Sequence, residues 1–326
     1  MIISAYAAYS KSDDIRYNSS SGGLFSELAS YIFNCGGYVA GAAFDEGFYS
    51  VSHIITNNPK DLNRLVKSKY LQSRFNIAKE AEELLKKGNP VLCCGTPCQI
   101  AGLKANLNKD YDNLITVDFV CHGTPMQKVW KKYLEWQEKL HKSSVVSVDF
   151  RSKENGWSNY LLLLLFDNGD KYAETSDKDL YMRLFLNDIC LCKGCYNCKY
   201  KGDNRKSDLT IADYWGIDTV LPEFNDNKGT SLLVVNTQKG ADILSKISNN
   251  LVLTETDVNE AFKLNNAAIK SATRPACYED FLSNLDNMPF DKLAKKYLPP
   301  IPLKERLKKY GLVQKALKIK HRVTGC

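Results

Sequence analysis

Apolar and polar positions change rhythm along the chain, and the rhythm predicts its elements. Residues 2–9 read as a first strand. Ser19-Ser20-Ser21-Gly22-Gly23 then opens a helix-period segment, 24–33, which Gly36-Gly37 stops. Strands follow at 39–44 and 51–56, a short helix at 59–66, and a stronger helix at 77–87 closed by Gly88. Residues 90–94 form a buried strand. Thr96-Pro97 then supplies an N-cap and a proline at the first helical position. Residues 114–120 repeat the strand, and Thr124-Pro125 is expected to start a long helix to His141, with Val129, Tyr133, Trp136 and Leu140 on its buried face. Strands alternating with helices predict an α/β lobe.

Beyond His141 the texture changes. Residues 145–150, 160–166 and 171–173 read as an antiparallel unit, turned at Asn168-Gly169. A helix is expected at 179–187, then a cysteine-rich loop, a strand at 232–236 and a helix at 240–247. The expected fold class is therefore α/β followed by α+β. The expected segments are an N-terminal lobe at 1–141, a second lobe with the cysteine loop at 142–290, and a basic tail at 291–326. There is no internal repeat and no low-complexity run.

Composition narrows the function classes. At 326 residues with ordinary apolar and charged content, the chain has enough material for two packed lobes. No apolar run reaches the ~18 residues of a membrane span, and the first residues lack the basic, then apolar, pattern of a secretory signal. A cytoplasmic protein is expected, in which eleven cysteines are metal or redox ligands rather than disulfides. The net charge of +7 is modest and concentrated late, so no nucleic-acid partner is expected. From Asp291 onward eleven Lys and Arg face two acids. Beyond Pro299, Pro300 and Pro302, residues 303–320 read either as a solvated basic helix or as a contact for an acidic partner or anionic membrane face.

The candidate chemistry is carried by cysteines and small hydroxyl residues. Cys190, Cys192, Cys195 and Cys198 fall within nine residues, ahead of a basic run of Lys199, Lys201, Arg205 and Lys206. That spacing serves a structural zinc knuckle or one face of an iron–sulfur cluster. Cys98 sits in the first turn of a predicted helix, where the dipole favours a thiolate. Cys121 ends the next strand. Ligands collect beyond strand ends in an open α/β sheet, so Cys98 and Cys121 can join Cys195 and Cys198 in one four-thiol site. Cys93 and Cys94 are expected to pack as small apolar residues. His122 reads as a proton donor or as a hydrogen-bonding residue at a helix start. The turn 19–23 can cradle phosphate, or be an ordinary turn. The loop 67–74 can bind pyrophosphate or a flavin ring, or be solvated. Neither G-x-G-x-x-G nor a P-loop is present, and Cys94 and Cys98 are too far apart for a thioredoxin-type dithiol.

Six stretches in order, SSSGGLFSELA, SKYLQS, GTPCQIAGL, VDFVCHGTP, GWSNY and CYNCKYKGDNRKSDLTIADYWG, resemble the beta subunits of coenzyme F-420 hydrogenases and dehydrogenases, which are iron–sulfur flavoproteins. The resemblance extends over residues from about 16 to 285 of the sequence. The resemblance implies an oxidoreductase with FAD and a [4Fe–4S] cluster. Its implied partners are a redox partner such as ferredoxin or a deazaflavin coenzyme, and a small-molecule substrate. It implies cluster thiolates at Cys98, Cys121, Cys195 and Cys198. It implies FAD contacts at Ser20, Ser21, Gly22, Gly23, Ser68, Lys69, Tyr70, Gln72, Ser73 and Thr96, with His122 as the catalytic candidate. Cys190 and Cys192 depart from the pattern as extra thiols. The separate ferredoxin-like segment of many members is absent from the residues at hand. Bacterial-type members are tied to surface-polysaccharide pathways, so a substrate other than the deazaflavin fits the resemblance as well.

Overall fold

A computed structural model of the protein describes residues 2–202 and 204–300. Its strands are β1 (Ser4–Ser10), β2 (Tyr38–Phe44), β3 (Val51–Thr56), β4 (Ser73–Arg74), β5 (Val91–Gly95), β6 (Leu114–Phe119), β7 (Val145–Ser152), β8 (Leu161–Phe166), β9 (Lys171–Thr175), β10 (Leu209–Asp213), β11 (Ser231–Val235) and β12 (Leu251–Glu255). Nine of them form one mixed sheet in the order β12-β1-β11-β10-β6-β5-β2-β3-β4, and β7-β8-β9 form a separate antiparallel sheet. The centre of the large sheet, β2-β5-β6-β10, is parallel, and the pairs with β1, β11 and β12 are antiparallel. The architecture is α/β and α+β, as the pattern predicted.

The large sheet draws strands from both sides of residue 141. β10 pairs in parallel with β6, and β11 lies between β10 and β1. The two expected segments are thus joined through backbone hydrogen bonds. β11 shows why: all of Ser231–Val235 is buried, with Leu233 and Val235 on one face and Leu232 and Val234 on the other. A strand covered on both faces belongs inside a sheet. The small polar-edged strand β12, which carries no strong apolar alternation, is an addition the sequence pattern did not reveal.

The helices relevant to the site are α1 (Asp13–Tyr17), α2 (Leu24–Asn34), α3 (Leu62–Leu65), α4 (Ala78–Lys86), α5 (Pro97–Leu107), α6 (Gln127–His141) and α7 (Leu180–Leu186). On one sheet face α2 packs Leu24, Leu28 and Ile32 beside the helix Gln238–Ile247. On the other, α4 and α5 bury Leu85, Ile100 and Leu103 against β5 and β6. α6 and α7 cover the small sheet.

Two helix expectations need correction. α5 starts as predicted: Thr96 caps it in a full capping box with Gln99, and Pro97 follows. The β6 counterpart does not. Thr124 and Pro125 lie in extended backbone, α6 begins only at Gln127, and Met126 is its N-cap without a side-chain cap bond. The cause is competition: Thr124 O accepts from Cys192 N–H at 2.8 Å, Pro125 pairs with Leu191, and Met126 N–H donates to Cys190 O at 2.9 Å. The buried face of α6 is also rotated. It carries Val129, Trp130, Tyr133, Leu134 and Gln137, while Leu140 is 58% exposed.

The helix Phe290–Tyr297 straddles the expected start of the tail and buries Leu293 and Ala294 in the core with α6 and α7. The predicted tail helix at 303–320 lies outside the described residues. No helix among the described residues is long and apolar enough to cross a membrane.

Candidate functional site

A cavity of about 540 Å³ opens beyond the carboxyl ends of β5, β6 and β10. This is the position at which open α/β sheets bind ligands. Its wall brings together the turn after α1, the loop after α3 and the three strand ends.

The serine turn and the lysine loop meet directly. Ser20 Oγ accepts from Ser68 N–H at 2.7 Å and lies 3.0 Å from Ser68 Oγ. Gly22 has a packing reason: a Cβ there would stand 2.5 Å from Ala8 O, and its N–H donates to Ser231 Oγ at 2.9 Å. Gly23 adopts φ +91° as the N-cap of α2, a conformation that disfavours any side chain. α2 has no side-chain cap, and Gly23, Leu24, Phe25 and Ser26 all line the cavity. The positive end of an eleven-residue helix therefore faces it.

Two lysines brace these segments, half-buried Lys69 its own loop and buried Lys153 the serine turn. Lys69 Nζ donates to Val66 O at 2.8 Å, Lys67 O at 3.3 Å and Leu65 O at 3.4 Å. Lys153 Nζ donates to Arg16 O at 2.5 Å and to Ser21 O and Lys228 O at 2.8 Å. Burial pushes both ammonium groups down to about 7, against an opposing pull from Asp149 on Lys69 and from Asp213 on Lys153.

Opposite the turn stands Arg151, only 2% exposed. It pairs with both oxygens of Asp213, at 2.7 and 3.1 Å, and donates to Tyr70 Oη at 3.2 Å. Its guanidinium lies 4.0 Å from the Tyr160 ring and 5.2 Å from that of Trp215. Trp215 in turn stacks on Trp157 at 5.1 Å and 4°. Burial opposes the charge of Arg151, and Asp213, Tyr70 and Tyr160 together more than offset it, so the group stays cationic. Arg151 Nε is buried without a hydrogen-bond partner. Arg151 with Tyr160 and Trp215 gives the chamber a wall of aromatic rings around a paired guanidinium, on which a planar ligand can stack.

At the β5 end a directed hydrogen-bond chain locks the wall. His53 Nε2 lies 3.0 Å from Cys94 O, which can only accept, so Nε2 carries the proton. Burial pushes the ring down to about 4 and keeps it neutral. Nδ1 therefore accepts from Ser73 Oγ at 3.1 Å. Ser73 Oγ accepts from Gln99 Nε2 at 2.8 Å, and Gln99 Oε1 accepts from Thr96 N–H at 2.9 Å. Thr96 Oγ1 stands 3.1 Å from Cys98 Sγ.

The cysteines gather on the rim. Cys121 lines the cavity, and its electrostatic neighbours include Cys195, Cys98 and Cys198. Burial pushes Cys121 up to about 12; Lys201 opposes this, and the neighbouring thiols add to it. Cys195 Sγ accepts from Thr124 N–H at 3.4 Å. A Cβ on Gly123 would meet Leu191 Cδ1 at 2.7 Å and Cys195 Cβ at 3.4 Å, so the β6 loop and the cysteine loop touch backbone to side chain. Cys198 N–H donates to Ser271 Oγ at 3.0 Å. The basic run splits. Lys201 Nζ turns inward to Cys121 O at 2.5 Å and Ala267 O at 2.8 Å, and Arg205 pairs with buried Asp118 at 3.1 Å. Lys199 and Lys206 face outward. Among the described residues, no three Cys, His, Asp or Glu side chains are drawn together tightly enough to hold a single metal ion.

The remaining expected residues fall as follows. Ser20, Ser21, Gly23, Ser68, Lys69, Tyr70, Ser73 and Thr96 line the cavity; Gly22 and Gln72 stand outside its wall. Gln72 Oε1 instead accepts from Cys192 Sγ at 3.4 Å. Cys98 is exposed, Cys195 and Cys198 half-buried, and none of the three lines the cavity. His122 lines it, with Nε2 2.6 Å from Asp188 Oδ1 and its ring edge-on to Phe185 at 5.2 Å. It is no helix-start residue, since α6 begins five residues later. Cys93 is fully buried in the core, whereas half-buried Cys94 also reaches the cavity. Cys190 is buried between α6 and α7. Sequence reading missed Arg151, Asp213, His53, Gln99 and Lys201. Asp213 and Trp215 lay inside a quoted stretch without a role; Arg151 and His53 sit in plain strands, and no local signal marked them.

An open sheet with a cavity at its strand ends, and with cysteines of two loops beside it, has the architecture of a ligand-binding α/β protein. The chain belongs to the coenzyme F420 hydrogenase/dehydrogenase beta subunit family: the model for the C terminus of that subunit matches residues 88–261. No curated protein matches it. Among solved structures, its fold is similar to that of a chain in the F420-reducing [NiFe] hydrogenase complex from Methanosarcina barkeri. The identity is 17%, the TM-score 0.55, and the match covers 90% of this chain and 91% of that one.

Proposed function

We propose that this chain is an iron–sulfur flavoprotein oxidoreductase, passing electrons between a redox partner and a small-molecule substrate. Cys98, Cys121, Cys195 and Cys198 would hold a [4Fe–4S] cluster, and the cavity would hold FAD. When bound, the flavin supplies the exchange between two-electron and one-electron chemistry, and the cluster supplies the one-electron path. The observation that supports the reading is the packing of the loop that follows Cys121 on the cysteine loop, with Thr124 N–H on Cys195 Sγ and Gly123 against Leu191 and Cys195, beside the cavity at the strand ends. The donor set fits: four thiols from two strand ends and one loop are the usual complement of such a cluster. The cavity fits as well, through the uncapped end of α2 and the aromatic rings around Arg151.

The chain's own residues then bind and orient. The α2 N-terminus and the Ser20–Ser68 pair would hold phosphate oxygens. Lys69 and Lys153 keep the two loops in place by gathering their carbonyls. Arg151, Tyr160 and Trp215 would flank the planar part of the ligand and exclude water. His122, held through Nε2 by Asp188, is the residue proposed to hand over a proton at the cavity wall. In this reading 1–141 carries the flavin turn and two thiols, 142–290 carries the other two, and the basic tail serves a partner. The F420-reducing hydrogenase that shares the fold is named as a complex, which supports a partner-bound role here.

Purification under anaerobic conditions, with iron counted and flavin identified, tests the proposal. About four irons and one FAD per chain are expected. Colourless protein that takes up neither iron nor added flavin would overturn it.

A further inference from the structure

The Thr-Pro pairs that follow β5 and β6 differ in backbone structure, yet each puts a threonine hydroxyl on a cysteine sulfur. Thr96 Oγ1 lies 3.1 Å from Cys98 Sγ. Thr124 Oγ1 lies 3.5 Å from Cys195 Sγ, and Thr124 N–H donates to the same sulfur at 3.4 Å. The first contact is local, because Thr96 is the N-cap of α5 and Cys98 stands in the first turn. The second crosses 71 residues of chain. There Cys192 N–H holds Thr124 O at 2.8 Å, which fixes the threonine beside the cysteine loop.

The protons give these contacts a direction. Thr96 Oγ1 accepts from Gln99 N–H at 3.4 Å, so its own proton is free to donate. Between a hydroxyl and a thiol either group could donate. A cysteine that ligates iron is a thiolate without a proton, so the hydroxyl must then be the donor. Cys192 competes for Thr124, which is also one of its hydrogen-bond partners. Its Sγ keeps a proton, however, and gives it to Gln72 Oε1 at 3.4 Å, so a thiolate at Cys195 is the stronger acceptor. A hydrogen bond to a ligating sulfur draws charge from it and eases the reduction of the iron it holds. We propose, on the reading of Cys98 and Cys195 as cluster ligands, that Thr96 and Thr124 are positioning residues whose hydroxyls donate to these two sulfurs and raise the reduction potential of the cluster. Ser271 is the contrasting hydroxyl: it donates to Cys198 O at 3.4 Å, and its oxygen accepts from Cys198 N–H at 3.0 Å, so it serves backbone instead of sulfur.

The test uses the full chain purified without oxygen, with iron counted and the cluster followed by electron paramagnetic resonance as the potential is lowered. Thr96→Val and Thr124→Val should each make the cluster at least about threefold harder to reduce. Together they should reach about tenfold, which is about 59 mV to more negative potential for one electron. Thr96→Ser and Thr124→Ser keep the hydroxyl and should stay near wild type, as should Ser271→Ala. Thr96→Val also removes the cap of α5, whereas Thr124 caps no helix, so Thr124→Val decides the matter where the first variant fails to fold. Iron-bearing valine variants with an unshifted potential overturn the proposal. So does a shift as large in the serine variants or in Ser271→Ala. Wild-type protein that holds no iron overturns the cluster reading itself, and this proposal with it.

Discussion

The neighbouring strands β5 and β6 run parallel, and each is followed within three residues by a cysteine near a Thr-Pro pair, yet the two ends are built differently. At β5, Thr96 and Pro97 start a helix at once, and Gln99 completes a capping box. The turn from strand to helix is closed locally by the capping box, and His53 and Ser73 tie Cys94 O and the Gln99 side chain to the neighbouring strands. At β6, the backbone of Thr124, Pro125 and Met126 is taken by residues 190–192. The first end is a local structure that presents Cys98. The second is an interface that holds Gly123 and Thr124, just past Cys121, against Cys195. The comparison teaches that one short signal gives a helix start only where no distant strand claims its hydrogen bonds.

The largest effect expected is on the thiols themselves. Cys98→Ser, Cys121→Ser, Cys195→Ser and Cys198→Ser should each lose most of the iron and much of the thermal stability, read by iron assay and melting. Cys192→Ser should keep both. Iron lost from Cys192→Ser and kept in Cys121→Ser would break the comparison, since the β6 end would then hold no ligand.

A smaller effect separates the two ends by pH. Burial holds His53 at about 4, below the ordinary value of about 6.5. Below pH ~6.5 the unfolded chain takes up a proton that folded His53 refuses, so stability present at neutral pH drains away as pH falls toward about 4. The loss approaches about 3 kcal/mol, and His53→Phe should remove that part of the slope. Chemical denaturation at neutral pH and near pH 4.5 measures it. Parallel slopes in both proteins would show that His53 is charged in the fold and that the β5 chain runs the other way.

The smallest contrast uses glycine. Gly123→Ala places a methyl 2.7 Å from buried Leu191, which has nowhere to move, so a cost of about 1–3 kcal/mol and weaker iron retention are expected. Gly95→Ala meets Gln99 Oε1 at 3.2 Å, a contact that a shift of a few tenths of an ångström relieves, and should stay within about 1 kcal/mol. Denaturation midpoints compare them. Equal costs would mean that the β6 loop is no tighter than the β5 turn.

Local periodicity was enough for most elements, because their signals lie within a turn or two of the chain. The run 24–33, the Thr96-Pro97 start and the Asn168-Gly169 turn all appear where the pattern put them. The thiols, the serine turn and the lysine loop were legible as chemistry, since few residue types serve it and their spacing is short. What the sequence could not decide is which distant segments would meet. The single sheet across residue 141, the recruitment of Thr124 and Pro125, and the inward turn of Lys201 and Arg205 depend on partners tens of residues away. So does Arg151, whose strand reads like any other until Asp213, Tyr160 and Trp215 surround it. The physical reason is that a buried charge or a free backbone group has no preference of its own for a place. It goes where the folded chain supplies the missing hydrogen bond, and only the tertiary structure contains that partner.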